Sequence, residues 1–101
     1  DLVVTAPDTV IADAVHVLSS RHLYRLPREQ VAALLHPLVS LPGFRIHQRS
    51  IVQRALELYG ATNLDWGDVM IAAAMERTGS TVVYSYDRDF DRFPGFERRE
   101  P

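Results

Sequence analysis

Residues 63–74 read Asn63-Leu64-Asp65-Trp66-Gly67-Asp68-Val69-Met70-Ile71-Ala72-Ala73-Ala74, and residues 81–91 read Thr81-Val82-Val83-Tyr84-Ser85-Tyr86-Asp87-Arg88-Asp89-Phe90-Asp91. The first stretch predicts a helix over residues 68–78, opened by residues 63–67 and closed by Gly79. Its residues are apolar and small, which predicts burial. The continuous apolar and β-branched run 81–85 fits a central parallel strand covered on both faces. A buried helix leading into such a strand implies an α/β layered fold with a small parallel sheet.

The same reading extends outward. Residues 50–59 predict a helix with Ile51, Ala55, Leu58 and Tyr59 on one face. Gly60 is expected to close it in the left-handed conformation. Pro42-Gly43 predicts a turn, and residues 44–46 a short strand. Val31, Leu34, Leu35 and Leu38 recur at helical spacing behind Pro27, which suits the first position of a helix. Pro37 must kink or end that helix. Near the start, residues 2–5 predict a strand, Asp8 or Thr9 a helix cap, and residues 10–18 a helix apolar on most sides and therefore buried. Near the end, Pro94-Gly95 predicts a turn and residues 96–98 an edge strand. There are no internal repeats and no low-complexity segment. The expectation is one domain over residues 1–101, entered partway through at Asp1 and so incomplete at its N-terminus.

Composition narrows the function classes. A chain of 101 residues is one domain's worth, 47% hydrophobic and 24% charged. Those proportions exclude a disordered tail and a collagen-like repeat. Cysteine is absent, which excludes disulfides, thiol redox chemistry and thiolate metal sites. The net charge of −2 excludes a strongly basic nucleic-acid binder. All 11 basic residues are Arg, the residue suited to bidentate phosphate and carboxylate contacts, although a GC-rich genome produces the same bias. No apolar run approaches the ~20 residues of a membrane span, and no signal-peptide pattern is present, so a cytoplasmic location is expected. His16, His22, His36 and His47 lack the His-Glu-x-x-His spacing of a zinc site. There is no Gly-rich phosphate loop and no Gly-x-Ser-x-Gly nucleophile setting.

The aspartates are unevenly spread. Asp65 and Asp68 stand at a helix start, Asp87, Asp89 and Asp91 follow the apolar strand, and Asp13 is alone in the first helix. Each has an ordinary explanation. Asp13 and His16 could share a polar stripe, Asp65 and Asp68 could form a capping pair, and Asp87 could cap a short turn. Together they say more. Two carboxylates within 4 Å repel by about 4 kcal/mol at an effective dielectric of 20. A site built from several of them needs a cation, a shared proton or open solvent. Oxygen-only ligands select hard ions such as Mg²⁺ or Mn²⁺, which serve phosphodiester chemistry. Arg21, Arg25 and Arg28 are candidates for an RNA backbone contact or for a solvated charged face.

The residues now resemble a known family. An acidic residue in an early apolar helix, then Asp68-Val69-Met70-Ile71-Ala72-Ala73, then an apolar strand running into Ser85-Tyr86-Asp87-Arg88-Asp89-Phe90, is similar to the PIN domain and, within it, to VapC-type toxins. The resemblance implies a three-layer α/β/α fold lacking its first strand. It implies an Mg²⁺- or Mn²⁺-dependent endoribonuclease, the toxin of a toxin–antitoxin pair. By position, Asp13 stands where the family usually has Glu, Asp68 matches the acid opening the small-residue helix, and Asp87 the acid after the strand, with Ser85 in the place of a frequent Thr. Those three are the expected catalytic and metal-holding residues, with Asp65 and Asp89 as further metal-site groups. The implied partners are an RNA substrate, a cognate antitoxin and a second copy of the chain, with no membrane. The alternative expectation is a catalytically inactive PIN-like module that binds a partner protein.

Overall fold

A computed structural model describes residues 3–79, 81–84, 88 and 95–101. The elements run β1 (Val4–Ala6), α1 (Thr9–Ser19), α2 (Arg28–Val39), β2 (Phe44–Ile46), α3 (Arg49–Ala61), α4 (Trp66–Thr78), β3 (Val82–Tyr84) and β4 (Glu97–Arg99). β1 pairs parallel with β2, Thr5 lying opposite Arg45. β3 pairs parallel with β4, Tyr84 lying opposite Arg99. Parallel neighbours need a crossover, and α1 with α2 supplies the one between β1 and β2. The fold is therefore α/β with parallel pairing, as expected, but the pairing forms two separate ladders of two strands.

That arrangement corrects one expectation. Over residues 82–84 the run forms β3, which leaves Tyr84 exposed and so is not covered on both faces. Among the described residues β3 has β4 as its ladder partner, and Tyr84 is 64% exposed. β-branched residues favour extended backbone, but coverage depends on what packs there. Ser85 lies outside the described residues.

The core is a helical layer with α3 in the middle. Val31, Leu35 and Val39 form the buried stripe of α2, spaced one turn apart. α3 contributes Val52, Ala55, Leu56, Leu58 and Tyr59, and α4 contributes Val69, Ala72 and Ala73. Ile11 and Val15 of α1 and Ile46 of β2 join them. The stripe is narrower than the sequence suggests. Leu34 and Leu38 are exposed, as are Val10 and Val17 of α1, so α1 buries only one face. Pro37 falls in the last turn of α2, which ends two residues later. Pro27 precedes the helix as its cap residue instead of opening it. Asp8 sits at the N-terminus of α1 without a side-chain capping bond.

Two glycines of similar sequence context have different roles. Gly79 takes φ +76° and ends α4, as expected. Gly60 does not close α3, which continues to Ala61. A Cβ on Gly60 would meet the Cβ of Ala32 at 3.1 Å and the Cα of Glu29 at 3.7 Å. Gly60 is there because α2 passes close by. Gly60→Val is expected to destabilise the protein by about 1–3 kcal/mol through overpacking, measured by urea unfolding; an unchanged midpoint would refute the close-packing role. No helix among the described residues is long and apolar enough to cross a membrane.

Candidate active site

The start of α4 concentrates the acidic chemistry. Asp65 is extended, at φ −72° and ψ 169°, and its Oδ1 accepts the backbone N–H of Asp68 at 2.9 Å. This is the forward half of the capping pair anticipated above. Asp65→Ala is expected to cost about 1 kcal/mol, the usual value of a lost cap. A thermal melt without added metal reads this directly.

Asp68 is different in kind. Its residue is only 9% exposed, the single buried charged residue among those described. Burying a carboxylate is costly unless its surroundings compensate. The first turn of a helix is one compensation, because the dipole favours negative charge there. Asp65, three residues before it, is exposed. One helical turn thus presents a buried and a solvated carboxylate.

Beside this turn lies an open cavity of about 480 Å³. Asp65, Trp66 and Gly67 form one wall. Ala12, Val15, His16 and Ser19 of α1 form the opposite wall. Arg28 and Tyr59 complete it. Asp13 is exposed on α1 and is not among the lining residues, so the structure does not bring it to the cavity. Asp87 and Asp89 lie outside the described residues. Among the described residues no three Asp, Glu or His side chains converge into a metal-sized group. Asp65 and Asp68 on one turn are carboxylates, the ligand type that hard divalent cations prefer.

Arg28 corrects another expectation. It does not belong to a solvated face with Arg21 and Arg25, both of which are exposed. Its Nε donates to the carbonyl of Tyr59 at 2.9 Å, and its Nη2 donates to the carbonyl of Leu64. Its guanidinium lies 3.7 Å from the centre of the Tyr59 ring, within cation–π range. Tyr59 sits in the last turn of α3, where carbonyls lack helical partners. Nearby, the Thr62 hydroxyl donates to the Leu58 carbonyl at 2.8 Å. Arg28 therefore acts as a C-terminal cap delivered from α2. Since α3 has no basic residue of its own in that turn, it also supplies the favourable positive charge. Tyr59 in turn meets Trp66 edge to face, with ring centres 6.0 Å apart.

Sequence reasoning missed the Arg28–Tyr59–Trp66 cluster, which lines the same cavity as His16. The one available signal was Trp66, the sole tryptophan, two residues before Asp68. A further cluster of charge lies elsewhere, where Arg54 of α3 bridges Glu76 at 2.7 Å and Glu57 at 3.2 Å. The bond to Glu76 holds the Arg54 pKa above its usual value.

Comparison with known families gives one match. The family model described as "PIN domain" matches residues 2–95. No curated protein and no solved structure was found to match the chain.

Proposed function

This chain belongs to the PIN domain family, whose members are generally nucleases that use divalent metal ions, and on that premise we propose that it is a metal-dependent endoribonuclease, the toxin of a toxin–antitoxin pair. The observation that carries the proposal is the buried carboxylate of Asp68, set at the N-terminus of α4 beside a cavity open to solvent. Asp65 caps the helix through the Asp68 N–H, and Asp68 adds a second, buried carboxylate on the same turn.

Asp68, Asp87 and Asp13 are the residues proposed to hold Mg²⁺ or Mn²⁺, with Asp65 and Asp89 supporting them. When bound, such an ion supplies an activated water and stabilises charge developing on phosphate oxygens. The chain's own part is positional. Asp65 fixes the first turn of α4 through the Asp68 N–H. The packed face of Val69, Ala72 and Ala73 anchors that helix against the core. Asp68 is thereby held with little freedom to move, the condition for preorganised electrostatics. The carboxylates neutralised by a bound cation account for part of the net negative charge, so that charge does not oppose an RNA substrate.

The test is incubation of the full chain with structured RNA and Mn²⁺. Cleavage is expected, with loss on chelation; cleavage that continues in excess chelator would refute the metal-dependent reading. The toxin role predicts growth arrest on expression, relieved by co-expression of a cognate antitoxin. A homodimer in solution is part of the same proposal and is read by sedimentation.

A second reading, a catalytically silent module that binds a partner, is favoured by the sheet edges. Among the described residues β1 and β3 each pair on one side, and an open strand edge is a template for another chain. Calorimetric titration with Mn²⁺ separates the two. Binding lost on Asp87→Asn supports the nuclease, and no binding supports the module.

A further inference from the structure

We propose that the cavity between α1 and the start of α4 is a nucleobase subsite, which receives one unpaired base of the RNA beside the carboxylates. The subsite rests on the nuclease reading above and adds to it how the substrate is gripped.

The size is suitable. About 480 Å³ lies within the roughly 300–1,000 Å³ of small-ligand sites and leaves room for a nucleotide unit. The chemistry is more telling. Unpaired RNA bases are recognised by stacking on aromatic rings or guanidinium planes, with hydrogen bonds to their edges. This cavity offers both kinds of contact. Trp66 is half-buried, with its ring braced by Tyr59. His16 is exposed on the facing wall. Ala12 and Val15 make part of the lining apolar, while Ser19 and Asp65 supply polar groups.

Arg28 makes the site ready-made. Its guanidinium is fixed by two backbone carbonyls and the Tyr59 ring, and so it needs no ordering when a ligand arrives. A fixed cation beside an aromatic ring suits an anionic nucleotide better than an apolar ligand. A fixed cation also reduces the entropy cost of binding. The position matters too. The wall residues 65–67 directly precede Asp68, so the cavity adjoins the helical turn that carries the buried carboxylate.

The sole tryptophan makes the test site-specific. The full chain is titrated, in EDTA to prevent metal-dependent cleavage, with a single-stranded mixed-sequence RNA of about ten nucleotides. Trp66 fluorescence is expected to be quenched by the RNA and not by inorganic polyphosphate of matched charge. Equal quenching by polyphosphate would show that the cavity reads charge and not bases, and would overturn the subsite. Labelled-RNA anisotropy then compares variants. Trp66→Leu is expected to weaken binding about tenfold, the scale of one lost base–aromatic stack. His16→Ala, at an exposed position of α1, is expected to weaken it severalfold. His36→Ala, a half-buried histidine of α2 that pairs with Glu57 outside the cavity, is expected to bind as wild type. Wild-type affinity in His16→Ala and Trp66→Leu overturns the subsite. Cleavage with Mn²⁺ is measured in parallel. RNA cut normally by variants that also bind normally sinks the subsite and leaves the nuclease standing. RNA bound and quenching Trp66 but never cut sinks the nuclease and leaves the subsite standing.

Discussion

Asp68→Asn is expected to abolish RNA cleavage while leaving the fold intact. Loss of a group that merely orients a metal ligand typically costs about 10–100-fold in affinity or activity. Loss of a ligand should reach or exceed the top of that range. The substitution preserves size, and the bond to Asp65 is made by the backbone N–H of residue 68, which the variant keeps. Two small stability effects oppose each other. The neutral amide forfeits about 0.3–1 kcal/mol of favourable interaction with the helix dipole. Burying an amide instead of a charge recovers some of that. Melting temperatures without metal should therefore be close. With Mn²⁺ they should separate, because an ion that binds only the folded state raises stability by about 2.7 kcal/mol at a hundred times its Kd. The wild type should rise and Asp68→Asn should not. Undiminished cleavage by the variant, or equal stabilisation of both proteins by Mn²⁺, would remove Asp68 from the site.

The largest stability effect is expected at Arg28. Arg28→Met keeps the aliphatic stem and removes the charge. The Tyr59 and Leu64 carbonyls lose their donor, and the Tyr59 ring loses its cation. A half-buried carbonyl without a partner costs about 1–3 kcal/mol. The cation–π contact adds roughly 0.5–2 kcal/mol. Because Arg28 is itself half-exposed, water recovers part of this, and a net loss of about 2–3 kcal/mol is expected. In a domain of this size that is a fall in Tm of about 10–20 °C. Arg28→Lys should recover less than half, since an ammonium lacks the planar fork that reaches two carbonyls at once. Urea unfolding of the three proteins decides it. A loss below about 0.5 kcal/mol in Arg28→Met, the range of an ordinary surface change, would show that the cap is dispensable.

The parts of the molecule set by local sequence were legible, and those set by long-range packing were not. Helix α4, its closing glycine and its Asp65 cap follow from adjacent residues, and the structure has all three. The strand after α4 was also readable from its β-branched run. Its exposure was not, because nothing local to residues 82–84 determines what lies against them. Gly60 shows the same limit. A glycine near a helix end looks like a terminator, whereas here it answers to Ala32, on another helix. Arg28 looked like one of three surface arginines because its partners, Tyr59 and Leu64, are distant in sequence. At the candidate site, Asp68 stands out by its motif, and the structure places it buried at the start of α4. Asp13 was readable as an acid in the first helix, but the structure leaves it outside the cavity. Asp87 and Asp89 fall outside the described residues.

The order in which the elements meet has a consequence for how the chain folds. α2, α3 and α4 lie close in sequence, with only β2 between the first two, and hold most of the core. Their contacts close small loops, which is fast. β1 must instead wait for β2 on the far side of two helices, and Val4 must find Phe44 across that span. The three-helix unit can thus gain protection before the β1–β2 ladder does, a sequence that pulsed hydrogen exchange would resolve. The acidic turn of α4 belongs to the early unit. The opposite wall of its cavity, on α1, lies outside that three-helix unit, so the cavity would be completed only when α1 docks.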